Sequence, residues 1–93
     1  WHAVGVEIGE GASIGARAVC VAPVKIGRWA LVAAGAVVTR NVPDFALVAG
    51  VPAKRLRWVG RAGKPLDEIG NNLYCCPVTG AQYRQDGEQL TEL

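Results

Sequence analysis

The sequence predicts an all-β protein: about two coils of a parallel β-solenoid over residues 1–50, then a short basic helix over 51–60 and a small hairpin with an acidic tail over 61–93. Three observations carry this. Residues 8–43 divide into sixes, IGEGAS, IGARAV, CVAPVK, IGRWAL, VAAGAV and VTRNVP, and a repeating unit of fixed length is the signature of a stacked array. The first place of each six (Ile8, Ile14, Cys20, Ile26, Val32, Val38) is always apolar and mostly β-branched. The fifth place (Ala12, Ala18, Val24, Ala30, Ala36, Val42) is always small.

Helix is the rival for an Ala/Val-rich stretch. A period of six with glycine inside the unit makes no helical stripe, and β-branched residues favour strands. Three sixes close one triangular turn, which sets Ile8 under Ile26, Ile14 under Val32 and Cys20 under Val38, with strands ~4.8 Å apart. Glycine in second places, at Gly9, Gly15 and Gly27, relieves the backbone at the corners. Cys20 occupies an inward place and reads as a small buried hydrophobe. Two coils are fewer than stacked arrays need, and the lower one leaves unpaired strand edges.

The repeat should end at 41–44, where Pro43 removes a ladder donor. Residues 45–49 read as one more strand closing the top. Pro52 just inside and Gly60 just past a segment predict the short helix, with Lys54 and Arg57 on one face, Arg55 beside them, and Leu56 and Val59 buried opposite. Residues 77–80 read as a hairpin turn, and the chain beyond about Asp86 as a frayed tail.

Length and composition narrow the class. The chain has 93 residues, suits one domain and has no apolar run long enough to span a bilayer. Its cysteines are Cys20, Cys75 and Cys76; an odd number with two adjacent argues against a secreted disulfide framework and for a reducing, cytoplasmic home. The chain opens at Trp1 rather than Met, which reads as a fragment or a processed product. His2, the single histidine, falls at this end and reads as a misfit residue rather than a base or ligand.

Catalytic constellations are absent from the pattern. Cys75 and Cys76 lack the further cysteine or histidine ligands that a metal needs, so no metal site is expected. No nucleophile-base set, carboxylate pair or phosphate loop assembles, and the catalytic residue stays unknown.

Charge is more informative. Net charge is +2, yet from Gly11 to Leu66 Arg17, Lys25, Arg28, Arg40, Lys54, Arg55, Arg57, Arg61 and Lys64 face Asp44 alone. A body that meets an anion and a merely solvated basic face both account for this. Nucleic acid is disfavoured, because no aromatics interleave the cations for base stacking. The small residues at 33–36 would let a thin ligand lie against the backbone, with Arg40, Lys54, Arg55 and Arg57 nearby to hold phosphates. Tight packing between subunits also wants such small residues.

Beyond the hexads, AAGAVVTR at 33–40, VP at 42–43 and AGVPAK at 49–54 resemble the left-handed β-helix (hexapeptide-repeat) acyltransferases. GASIGA at 11–16, WVxRxG at 58–63 and CPVTGAQY at 76–83 are similar to the members that N-acetylate nucleotide-linked sugars for bacterial surface polysaccharides. The resemblance implies a left-handed coil, a homotrimer, acetyl-CoA in the groove between subunits and a nucleotide-sugar acceptor. It maps Ala34 and Gly35 to the wall along the pantetheine arm, and Arg40, Lys54 and Arg55 to the cations near the CoA phosphates. The sugar-binding and catalytic loop of such enzymes would lie in coils before Ile8. A non-catalytic trimerisation module is the alternative, motivated by the short repeat and the missing base.

Overall fold

A computed structural model describes the backbone of residues 2–3 and everything from Gly5 to Leu93. The expectation for the His2 side chain lies outside the described residues.

Short strands occupy the hexads: β1 (His2–Ala3), β2 (Val6–Ile8), β3 (Ser13–Ile14), β4 (Val19–Cys20), β5 (Val24–Ile26), β6 (Leu31–Val32) and β7 (Val37–Val38). β2, β3 and β4 stack in parallel with β5, β6 and β7 in the expected register, with Ile8 opposite Ile26, Ile14 opposite Val32 and Cys20 opposite Val38, whereas β1 pairs antiparallel with β2. From β2 to β7 successive strands lie on different faces of the prism, so these six pair between coils and not with their neighbours along the chain. The second-place glycines show why the corners are tight. A Cβ on Gly15 would overlap the Ala34 amide, and one on Gly9 would sit 2.8 Å from the Arg28 nitrogen.

Burial is graded along the axis. Ile26, Val32 and Val38 are closed off, whereas Ile14 one coil below is 38% exposed and Ile8 and Cys20 are half-buried. Cys20 is thus only partly the buried hydrophobe expected of it. The cause is stacking: the inward side chains of the lower coil have neighbours above them only, and β3 and β4 are hydrogen-bonded on one edge only.

Above Val38 the coil shortens. Val42 bridges Ile26 in parallel, and β8 (Ala46–Ala49) lies parallel on β6 with Leu47 opposite Leu31 and Val48 opposite Val32. Residues 46–49 thus form the further strand expected there, with its outer edge left to pair onward.

The short helix over 51–60 is not formed. Lys54–Trp58 is β9, running antiparallel to β8, and no helix occurs among the described residues. The physical reason is the open edge of β8. Residues 50–53 turn back on themselves, and ladder bonds with β8 satisfy the backbone that a single helical turn would leave half unpaired. Leu56, expected to be buried, is 62% exposed, while Val59 is buried as expected.

The remainder is larger than a hairpin. β10 (Asp67–Gly70), β11 (Leu73–Cys75), β12 (Gln82–Asp86) and β13 (Gln89–Glu92) form a four-stranded antiparallel meander. The acidic tail is not frayed: Leu90 is buried, and Glu92 on β13 pairs with Arg61 at 3.0 Å. Tyr83 packs edge-on against Phe45, ring centroids 5.1 Å apart, so one core runs from the coils into the meander.

Candidate functional site

The basic cluster is assembled by the strand that replaced the helix. The turn after β8 is strapped to β7: Val37 donates to the Gly50 carbonyl at 3.0 Å and Ala53 donates to the Val37 carbonyl at 2.8 Å. Residue 53 is thereby pinned beside residue 37, which brings the start of β9 alongside the end of β7 where Arg40 follows. Arg40, Lys54 and Arg55 consequently line one open cleft of about 350 Å³, together with Asn41, Ala53 and Glu88.

A β-bulge decides which way the cations face. Arg57 lies opposite Leu47 and Arg55 opposite Val48, so Leu56 is the extra residue. Directly opposed residues share a face of the sheet, which puts Lys54 and Arg57 together outward with Ala49 and Leu47. The pairing expected from helical spacing thus survives for a different reason. Arg55 lies on the face of Val48 and stacks its guanidinium over the Trp58 ring, 4.4 Å from the centroid. That contact orients Arg55 while leaving its donors exposed.

Ala34 and Gly35 do not line this cleft. They form the exposed turn between β6 and β7. Gly35 has φ +74°, with no atom within 4 Å of where a Cβ would sit, and its N–H donates to the Ala16 carbonyl at 2.9 Å. Open space beside this turn suits a ligand lying close to the backbone. The structure therefore joins three of the five expected residues in one cleft and leaves two on a neighbouring corner.

The corner below the cleft is fixed by side chains binding backbone. Asn41 Oδ1 accepts from the Lys25 amide at 2.8 Å, and Asp44 Oδ1 accepts from the Arg28 amide at 2.7 Å. Asp44 also pairs with the Arg28 guanidinium at 3.4 Å. Arg28 is thus committed to Asp44, whereas Arg40 and Lys54 have no ion-pair partner among the described residues.

Sequence reasoning missed Glu88. The sequence pattern places it in a frayed tail, yet the β12–β13 turn carries it to the rim of the basic cleft. Signals for that strand were Leu90, an apolar residue between polar neighbours, and Gly87 at the turn.

At the Cys76 turn the Gly80 N–H donates to the Cys76 carbonyl, and Ala81 N–H donates to Thr79 Oγ1. The Thr79 hydroxyl, aided by the Thr79 and Val78 amides, holds the Cys76 thiol below its ordinary value. Among the described residues no group of three His, Cys, Asp or Glu could hold a metal ion.

In-register parallel coils, a hexad repeat and a cationic cleft at the closing turn define a class, the β-solenoid proteins of hexapeptide sequence. The comparisons agree. Residues 5–40 match the hexapeptide repeat of succinyl-transferase. The chain carries that repeat and is similar to acetyltransferases of the hexapeptide-repeat superfamily.

A dTDP-3-amino-3,6-dideoxy-alpha-D-galactopyranose 3-N-acetyltransferase of Aneurinibacillus thermoaerophilus is 47% identical over 66 residues, covering 71% of this chain and 34% of that protein. A 2,3,4,5-tetrahydropyridine-2,6-dicarboxylate N-acetyltransferase of Staphylococcus aureus is 50% identical over 64 residues, covering 69% of this chain and 27% of its own length. A hexapeptide-repeat acetyltransferase from Vibrio cholerae, solved with acetyl coenzyme A, superposes with TM-score 0.58 at 38% identity over 59% of this chain and 30% of that one. The chain spans about a third or less of these relatives' lengths.

Proposed function

We propose that this chain is the CoA-holding end of an acyl-CoA-dependent N-acetyltransferase that transfers acetyl to an amino group of a nucleotide-linked sugar. The carrying observation is the convergence of Arg40, Lys54 and Arg55 on one cleft, none of them in an ion pair among the described residues. CoA ends in phosphates, and an open cationic cleft about 350 Å³ in size fits that anionic end. The Ala34–Gly35 turn would flank the pantetheine arm. Acetyl-CoA enters as a substrate, supported by the acetyl coenzyme A complex of the Vibrio cholerae relative.

In the transfer the acceptor amine would attack the thioester carbonyl carbon, the carbon–sulfur bond would break and CoA would leave as the thiol. Backbone N–H groups are suited to stabilising the oxyanion. The residue that takes the amine proton is not assigned to this chain. Sugar specificity is supported by the aminosugar acetyltransferase at 47% identity.

Left-handed coiling, a homotrimer with the ligand between neighbours, a role in polysaccharide synthesis and a cytoplasmic setting belong to the same proposal. Likeness to the hexapeptide-repeat acyltransferases supports the first two. Three free thiols support a reducing compartment, and no helix among the described residues is long and apolar enough to cross a membrane.

Calorimetric titration of the chain with CoA tests the reading. Binding should be saturable, and Arg40→Ala should weaken it about two- to five-fold, as loss of one exposed phosphate contact implies. A folded chain that binds no CoA refutes it and favours the trimerisation module instead.

A further inference from the structure

Glu88 is a carboxylate at the rim of a cleft otherwise charged by Arg40, Lys54 and Arg55, and among the described residues no ion pair joins it to any of them. It also lines the adjoining cleft, with Lys25, Asp44 and Gln89. The β12–β13 turn therefore borders both openings and brings a negative charge to the cationic one.

Besides the β12–β13 ladder, one side-chain amide braces that turn. Gln85 Nε2 donates to the Gly87 carbonyl at 2.9 Å, across the turn that presents Glu88. Gln85 Oε1 accepts from Trp58 Nε1 at 3.1 Å and from the Tyr74 hydroxyl at 2.9 Å. Trp58 is the ring on which Arg55 stacks. The positive and negative sides of the cleft are thus tied to a common side chain.

We propose that Glu88 is a specificity-determining residue that sets how much negative charge the cleft accepts. The inference rests on the CoA reading above. An anionic wall penalises each added phosphate charge, so it favours the less charged of two otherwise identical ligands. Removing that charge should help the most highly charged ligand most.

CoA and dephospho-CoA, which differ by the 3′-phosphate, are the probes. In titrations at low salt, Glu88→Gln should tighten CoA about two- to five-fold and dephospho-CoA by a smaller factor, and Glu88→Lys should extend the trend. The difference should shrink at high ionic strength, which a change in packing would not produce. Both substitutions lie on an exposed turn, and an unchanged circular dichroism spectrum confirms the fold. Native chain that binds CoA, with Glu88→Gln leaving both affinities unmoved or shifting both equally, overturns the inference alone. Native chain that binds no CoA overturns the cofactor reading, and this inference falls with it.

Discussion

Gly27→Ala probes how the coil is built. Gly27 is the second-place glycine of the hexad beneath the closing turn. A Cβ there would overlap the Asp44 amide and lie 2.6 Å from both Asp44 Oδ1 and the Pro43 carbonyl carbon. The obstacle is mostly backbone and cannot swing aside, so the 41–44 corner must move outward. Overpacking costs ~1–3 kcal/mol. The displaced Asp44 also weakens its hydrogen bond from the Arg28 amide, a solvent-exposed bond of 2.7 Å adding about 1 kcal/mol. The total is about 2–4 kcal/mol, a large share of what a domain this size has.

Gly35→Ala is the control. Gly35 has positive φ but no atom near its Cβ position, so only the left-handed backbone penalty of about 1 kcal/mol applies. Urea and thermal unfolding at fixed protein concentration measure both. Gly27→Ala should lower the melting temperature by about 10–25 °C and Gly35→Ala by much less. Gly27→Ala within 0.5 kcal/mol of native, or Gly35→Ala costing as much, would refute close coil approach as the reason for the second-place glycines.

Two further outcomes follow from the meander. Trp58→Ala removes a buried ring, its bond to Gln85 and the platform for Arg55; it should cost about 3–5 kcal/mol in urea titration and weaken CoA binding, whereas Trp58→Phe should keep most of the stability. In a chain whose Cys20 and Cys75 are replaced by serine, Thr79→Val should raise the Cys76 titration point toward 9.0, read by thiolate ultraviolet absorbance. Between its lowered folded value and 9.0 the unfolded thiol holds more protons, so native stability gains with rising pH in that window and loses the gain as pH falls through the folded value. Thr79→Val should flatten that dependence.

The hexads were legible because each declares itself within six residues by an apolar first place and a small fifth place, and three add a glycine where coils touch. Register followed from the period alone. The cations of the cleft were legible as residue types, since Arg40, Lys54 and Arg55 flank the two motif blocks. Their being neighbours was not, because it depends on the Val37–Gly50 and Ala53–Val37 hydrogen bonds across coils.

Lys54–Trp58 marks where local reading stops. Pro52, Gly60 and the spacing of Lys54 and Arg57 fit one helical turn, yet the unpaired edge of β8 offered a ladder, and tertiary hydrogen bonding outweighed a propensity of tenths of a kcal/mol per residue. The bulge at Leu56 then restored the shared face of Lys54 and Arg57. Glu88 reached the cleft by the same kind of decision: Gln89–Glu92 is polar and acidic, and only pairing with β12 and burial of Leu90 make it a strand.

The sequence by itself therefore determined the parallel coil, its register and the charges near its upper end, because those are written in short repeats and adjacent residues. The tertiary structure alone decided that β9 is a strand, that three cations share one cleft and that Glu88 faces them. Each of those depends on a strand edge or turn supplied by distant residues, whose free energy no local window contains.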